Sequence, residues 1–234
     1  MALSQVTAHP YRAIAIDFDG TLASQGIVDA RTLAALQGAR ETAIQVILVT
    51  GRTCTSLRRR FAQFDLFDRI VLENGAVVLD PRSGTEQLLA PPPPPALLTA
   101  LEKKGVPFGI GRAIVATVQP YEHPALTIIR ELGLEWHLVF NKGDVMLLPS
   151  NITKSTGLRV ALDDLGVPPA QTAGIGDGEN DHAFLQLCGL SCAVANAVPA
   201  LKAAARVVTA EHNGAGVREF VQVVLGVNLS GNVR

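Results

Sequence analysis

The stretch IAIDFDGTLAS at residues 14–24 decides the fold, because a short apolar run ends there in two aspartates separated by one residue. AIAI at 13–16 has the continuous apolar character of a strand buried on both faces. Gly20 follows the second aspartate and permits a tight turn. An open parallel sheet collects ligands outside the carboxyl ends of its strands, so the sequence predicts that Asp17 and Asp19 lie where a ligand binds.

Outward from this stretch, short apolar runs alternate with segments of helical period, which predicts a parallel α/β sheet. QVILVT at 45–50 and RIVLE at 69–73 are the next strands. Between the first two strands we expect a helix that begins behind an Asp29 cap, with Leu33, Leu36 and Ala43 near one face.

The same pattern resumes at Thr153. It predicts a helix marked by leucines, a strand in TAGIGD, a helix over 179–187, and strands in LSCAVA and RVVT. The leucines of the first of these helices are Leu158, Leu162 and Leu165.

A different order of elements occupies residues 81–149. The alternating pattern of strands and helices stops at Pro81. The five prolines at 91–95 predict a stiff polyproline connector. Beyond them the order is α-β-β-α-β-β, with hairpin turns at 111–112 and 141–144. We therefore predict a core from residues 1–80 and 150–234 that is interrupted by a small α+β cap domain at 81–149.

Composition and charge narrow the class of protein. The 234 residues are 48% hydrophobic with a net charge of -1, so no feature favours nucleic acid or an anionic membrane as partner. The basic run at 58–60 is typical of a solvated helix face. The apolar stretch at 183–208 is broken by glycine, asparagine, proline and lysine, so we expect no membrane span. Three cysteines without zinc or redox spacing, and no signal peptide pattern, predict reduced thiols in the cytosol.

Two further polar clusters follow strands in the way that the aspartates do. They are Thr50-Gly51-Arg52 after the second strand and GDGEND at 176–181 after a later one. Carboxylates crowded at one sheet edge repel, and hard oxygen ligands without nearby His or Cys select Mg²⁺, which commonly also binds a substrate phosphate. The residues therefore predict Mg²⁺-assisted phosphate chemistry.

Competing motifs fail on spacing. A dinucleotide-binding fingerprint beginning at Gly174 requires glycine where Glu179 stands. A P-loop ending in Lys-Ser at 154–155 requires glycines where Leu148 and Thr153 stand, and an EF-hand loop beginning at Asp17 fails at three positions.

The motifs resemble those of the haloacid dehalogenase superfamily of phosphatases, in its Cof-like branch. DFDGT at 17–21 looks like the first motif, Thr50 the second, Lys154 the third and GDGEND the fourth, and the α-β-β-α-β-β insert matches the minimal cap of that branch. The resemblance covers nearly the whole chain and implies a Rossmann-like core with an inserted cap. The lysine by itself is a weak signal, since any helix start can carry one.

The resemblance also implies catalytic and phosphate-binding roles. Asp17 would be the nucleophile that forms an aspartyl phosphate, and Asp19 the acid that protonates the leaving alkoxide and then the base that activates water. Thr50 with its neighbour Gly51, and Lys154, would hold phosphoryl oxygens.

The implied Mg²⁺ ligands are Asp17, Asp19 through its backbone carbonyl, and Asp177. Asp181 would either bind the ion or support a ligand, and Asn180 would orient the phosphate or a metal-bound water.

Four residues are candidates for contact with the rest of the substrate. Arg52 either meets substrate or caps a helix. Arg112 and Lys142 stand at hairpin turns of the insert, and His123 is a further candidate of the insert. Turns also favour exposed polar residues without any function.

The function that these motifs favour is a Mg²⁺-dependent phosphomonoesterase for a small phosphorylated metabolite, such as phosphoglycolate or a sugar phosphate. The alternatives are a phosphomutase of the same superfamily and a catalytically silent binding module.

Overall fold

The protein contains two β-sheets. A computed structural model describes residues 10–226, so the ends of the predicted core, 1–9 and 227–234, lie outside the described residues. In chain order the strands are β1 (Ala13–Asp17), β2 (Gln45–Val49), β3 (Arg69–Leu72), β4 (Val77–Leu79), β5 (Glu86–Leu88), β6 (Gly109–Ile110), β7 (Val115–Val118), β8 (Trp136–Asn141), β9 (Asp144–Pro149), β10 (Thr172–Gly176), β11 (Leu190–Ala193) and β12 (Val207–Val208). The helices are α1 (Ala30–Glu41), α2 (Cys54–Arg58), α3 (Pro95–Lys103), α4 (Glu122–Glu131), α5 (Lys154–Leu165), α6 (His182–Leu187), α7 (Pro199–Ala204) and α8 (Asn213–Val224).

The large sheet has the order β12-β11-β10-β1-β2-β3-β4-β5. All pairs from β12 to β3 are parallel, and β4 and β5 extend the sheet in antiparallel fashion. The predicted α/β class with a parallel core is confirmed. β1 lies between β10 and β2, which brings the ends of these three strands to one edge.

The smaller sheet is antiparallel, with the order β6-β7-β9-β8. With α3 and α4 it has the predicted α-β-β-α-β-β order. Alternate residues of β9 face opposite ways: Val145 and Leu147 pack with the two helices, whereas Met146 and Leu148 join the apolar cluster of the large sheet. The sheet therefore turns its helix-free face toward the core.

The insert does not begin at residue 81 as the sequence predicted. Pro81 lies in a hairpin turn that Asp80 and Thr85 close with a backbone hydrogen bond, and β5 beyond it pairs with β4 in the large sheet. Pro81 indicated a domain boundary because hairpin turns and domain linkers use the same residues. The stiff run at 91–94 does connect the sheets, and Pro95 is the first residue of α3.

Two smaller expectations also need correction. Asp29 caps α1 by accepting a hydrogen bond from the Thr32 backbone, but the helix ends at Glu41, so Ala43 lies beyond it, exposed and with φ of 63°. The three cysteines are free thiols as expected, although only Cys192 is fully buried. Within residues 10–226, none of the helices has the length and apolar character needed to cross a membrane.

Helix α5 is held close to the sheet by a contact between two glycines. A Cβ added at Gly157 would lie 2.5 Å from Val71 Cγ1 and 2.6 Å from the Cα of Gly75. Gly75 also lies directly against the backbone carbonyl of Thr153. These two contacts fix the start of α5 close to the end of β3.

Gly157→Ala should therefore lower the free energy of unfolding by about 1–3 kcal/mol through overpacking. Gly38→Ala on α1 is the matched control, because its Cβ would meet nothing within 4 Å, and a helical alanine there should stabilise by about 0.5–1 kcal/mol. Urea unfolding of both variants checks this, and equal stabilities would contradict the close contact.

Candidate active site

The site forms where three neighbouring parallel strands end. Asp17 is the last residue of β1, Thr50 follows β2 and Asp177 follows β10. Because β1 pairs with both β10 and β2 in parallel, these residues share the carboxyl edge of the sheet. Gly20 makes the approach possible, since a Cβ there would lie 2.2 Å from Asp177 Oδ2.

Three buried carboxylates form an acidic cluster, which consists of Asp17, Asp177 and Asp181. Each offers one oxygen within 4.8 Å of the oxygens of the other two. Burial, together with repulsion from Asp181, raises the pKa of Asp17 well above its ordinary value, against the lowering effect of Lys154. Burial also raises the pKa of Asp177, which Lys142 partly offsets. The fold thus holds Asp17 and Asp177 where ionisation is unfavourable without a cation.

Lys154 is the cation that the chain itself supplies to the acidic cluster. It is the first residue of α5, behind a Thr153 cap that forms a reciprocal capping box with Thr156. Its buried Nζ lies 2.5 Å from Oδ1 of Asp17 and 2.5 Å from Oδ1 of Asp181. Burial alone would lower the pKa of Lys154, but the attraction of the two carboxylates raises it above its ordinary value. The lysine therefore stays charged in the site.

Asp181 also shapes the loop after β10. Its Oδ2 accepts hydrogen bonds from the backbone N–H groups of Asp177 and Gly178, each at 2.8 Å. Both of its oxygens are therefore engaged within the protein, which favours the supporting role over direct ion binding. Thr21 donates to Oδ1 of Asp177 at 2.9 Å and orients that carboxylate.

Asp19 lies outside the acidic cluster. Arg52 donates from Nε and Nη2 to its two oxygens at 2.6 and 2.7 Å, and from Nη1 to Ser56 at 3.0 Å. Arg52 does not cap the following helix, because Thr53 is the N-cap of α2. The structure thus brings Arg52 to the predicted acid–base residue, a pairing that the sequence did not predict.

The predicted phosphate-binding residues lie around the same edge. Thr50 is buried and its hydroxyl accepts the Arg52 N–H at 3.1 Å, while Gly51 lines the cleft above. Asn180 donates to Oδ1 of Asn74 at 2.9 Å, and its own Oδ1 is buried without a partner among the described residues. The side-chain oxygen of Asn180 is therefore available to accept a hydrogen bond at the site.

The three candidates from the insert have different positions. Lys142, in the β8–β9 hairpin, reaches across to Oδ2 of Asp177. The Arg112 side chain instead pairs with Glu86 on β5 at 2.9 Å, so it turns away from the cleft. His123 lies at the start of α4 on the helical side of the insert, with 86% of its side chain exposed. Arg112 and His123 are therefore not brought to the site, because their places in sequence indicated turns and helix ends but not which face they take.

Glu73 is a functional candidate that the sequence reasoning missed. It follows β3 with φ of 52°, is 1% exposed, and its carboxylate accepts the backbone N–H groups of Arg112 and Ala113 at 2.8 and 3.0 Å. Its neighbour Asn74 donates to Met146 of the insert. Polar residues directly after an apolar strand were the signal that identified Asp17, and Glu73-Asn74 after RIVL carry the same signal.

The site opens into a cleft of about 670 Å³ between the core and the insert. Asp17, Asp19, Thr50 and Arg52 lie on its core side. Three carboxylates with only hard oxygen donors, buried together beside this cleft, fit a divalent cation.

Comparison with known proteins agrees with this geometry. A family model described as haloacid dehalogenase-like hydrolase matches residues 14–93 and 136–221. The chain belongs to this family. It is similar to the phosphoglycolate phosphatase of Methanothermobacter thermautotrophicus, with 28% identity over 92% of this chain and 99% of the relative. The phosphoglycolate phosphatase of Archaeoglobus fulgidus is 30% identical over 90% of this chain and 96% of its own.

Solved structures show the same fold. A haloacid dehalogenase-like hydrolase from Bacteroides thetaiotaomicron matches with a TM-score of 0.76 and 20% identity, over 92% of this chain and 99% of that one. One from B. subtilis matches with a TM-score of 0.76 and 20% identity, over 90% and 99% of the two chains.

Glu73→Gln should loosen the insert, because an amide cannot accept both N–H groups and leaves one buried donor unpaired, at a cost of about 1–3 kcal/mol. Hydrogen exchange at the Arg112 and Ala113 amides should accelerate accordingly. Glu86→Gln is the control, since it removes only the ion-pair partner of the exposed Arg112 side chain and should leave those amides nearly unchanged. Equal protection in both variants would show that Glu73 does not hold the insert.

Proposed function

We propose that this protein is a Mg²⁺-dependent phosphomonoesterase that hydrolyses a small phosphorylated metabolite through a covalent phosphoryl intermediate on Asp17. The observation that carries the proposal is the buried acidic cluster with Lys154, next to the cleft that Asp17 lines. The names of the relatives support phosphate-ester hydrolysis and make phosphoglycolate one candidate substrate. The resemblance of the motifs adds sugar phosphates.

In the first half-reaction an Asp17 oxygen attacks phosphorus and the bond from phosphorus to the ester oxygen breaks. Asp17 Oδ1 is held by Lys154, whereas Oδ2 accepts no hydrogen bond from the described residues and is the oxygen free to react or bind the ion. Arg52 first releases the Asp19 carboxylate, which takes up a proton from solvent and then gives it to the departing alkoxide.

In the second half-reaction Asp19 takes a proton from water, and the water oxygen attacks phosphorus. The bond from phosphorus to Asp17 breaks, which releases inorganic phosphate and restores the carboxylate. Lys154 and the Thr50 hydroxyl lie at the strand edge where negative charge accumulates on the phosphoryl oxygens.

Asp17, Asp177 and the Asp19 carbonyl would hold Mg²⁺, with Asp181 supporting the loop. When bound, the ion offsets the repulsion between the nucleophile and the phosphate and polarises the phosphoryl group. Free thiols at all three cysteines support a cytosolic enzyme, since reduced cysteines are typical of that compartment.

Asp17→Asn should keep the fold and lower phosphate release by more than about 10³-fold, because the amide lacks the anionic nucleophile. Inorganic phosphate release from p-nitrophenyl phosphate, with circular dichroism as the control for folding, measures this. Turnover within tenfold of the wild type would remove Asp17 from the nucleophile role. If a sugar phosphate instead gave a rearranged phosphosugar without phosphate release, the protein would be a phosphomutase.

Asp19→Asn should slow hydrolysis of a sugar phosphate by about 10²–10⁴-fold but affect p-nitrophenyl phosphate much less. Only the poor leaving group needs the proton in the first step. Rates of both esters are compared in the same preparation, and equal losses would contradict an acid role for Asp19.

A further inference from the structure

The wall that the insert presents to the cleft is mainly apolar. Phe108, Ile110, Ile114, Val118 and Met146 line it. Ile110 and Val118 remain 56% and 44% exposed, which is unfavourable unless something apolar covers them. The cleft's volume of about 670 Å³ is in the range that holds ligands much larger than a two-carbon acid.

The only charged side chain that the described part of the insert contributes to this lining is Asp144, at the start of β9. Of the other polar residues on this wall, Thr117 uses its hydroxyl on the Pro107 carbonyl at 2.6 Å, and Asn141 is neutral. Within this lining, the insert therefore offers a negative charge to whatever lies above the phosphate.

Positive charges near the cleft are already engaged. Arg52 gives three donors to Asp19 and Ser56. Lys142 contacts Asp177, and Arg112 pairs with Glu86. An anionic leaving group would thus meet an apolar wall and the Asp144 carboxylate on the insert side of the cleft.

We propose, on the basis of the function proposed above, that this cleft selects phosphate esters whose leaving group is uncharged or cationic and carries an apolar face, and that Asp144 discriminates against anionic leaving groups such as glycolate. The substrate class is then a phosphomonoester of a neutral or amino alcohol. Asp144 acts at a distance from the reacting phosphorus, as a specificity residue of the leaving-group side.

The test uses three esters of equal length that differ in the charge of the leaving group. Phosphoglycolate is anionic, 2-hydroxyethyl phosphate is neutral and phosphoethanolamine is cationic. We expect kcat/KM of the wild type to be lowest for phosphoglycolate. Asp144→Asn should raise the phosphoglycolate to phosphoethanolamine ratio by about five- to tenfold, as expected for an exposed charge, and Asp144→Lys should raise it further. Because the same two esters are compared in the wild type and in each variant, differences in their intrinsic reactivity do not affect the change in this ratio.

Asp163→Asn is the control, because it removes an exposed acidic group of α5 outside the cleft and should leave the ratio unchanged. A wild-type preference for phosphoglycolate, or a ratio that does not move in Asp144→Asn, would overturn the proposal. Loss of phosphoglycolate turnover alone in Lys142→Met would also overturn it and assign Lys142 to an anionic substrate. Benzyl phosphate should have a lower KM than 2-hydroxyethyl phosphate, and this advantage should shrink in Ile110→Ser; no advantage would refute the apolar part.

A wrong phosphomonoesterase assignment would give a different experimental result from a wrong selectivity. If p-nitrophenyl phosphate and all other esters give no phosphate, the phosphomonoesterase assignment is wrong. The selectivity is then decided by calorimetric binding of the three equal-length esters in Mg²⁺ buffer, for which weakest binding of phosphoglycolate is expected. Equal or reversed affinities would overturn the inference.

Discussion

Lys154 holds two buried carboxylates, and the rest of the site depends on this contact. Close carboxylates repel by about 4 kcal/mol per pair at an effective dielectric constant near 20, and here Asp17 and Asp181 share one ammonium group at 2.5 Å each. The lysine reaches them only because α5 begins beneath the strand edge, where Gly157 and Gly75 allow close packing. The site thus holds together carboxylates that repel each other, which is unfavourable for local stability. The contact between Gly157 and Gly75 positions α5 so that Lys154 can reach them.

The insert lies over the cleft and is held by two kinds of contact. The Glu73 carboxylate accepts two hydrogen bonds from the backbone of the β6–β7 turn. Breaking these bonds would leave a buried carboxylate without hydrogen-bond partners, which is unfavourable. Lys142 binds Asp177, the residue that a divalent ion would also contact. The first contact is structural and the second involves the chemistry itself.

Strand ends and helix faces were predictable from residues because they depend on local pattern. DFDGT, TGR and GDGEND each follow an apolar run, and parallel pairing brought their residues to one edge. What failed depended on which partner a strand or side chain takes. The antiparallel β4–β5 hairpin was predicted to begin the insert, Arg112 was a candidate from its turn position, and the Arg52–Asp19 pair joins residues from different loops. No periodicity in a single sequence indicates such pairings.

The central claim is that the buried acidic cluster exists to bind a divalent ion for phosphoryl transfer. Titration with Mn²⁺, which accepts the same oxygen ligands as Mg²⁺, tests it through the loss of the free-ion signal in electron paramagnetic resonance. The account predicts one site per wild-type chain and its loss in Asp177→Asn. Binding that is absent from the wild type, or unchanged in Asp177→Asn, would contradict it.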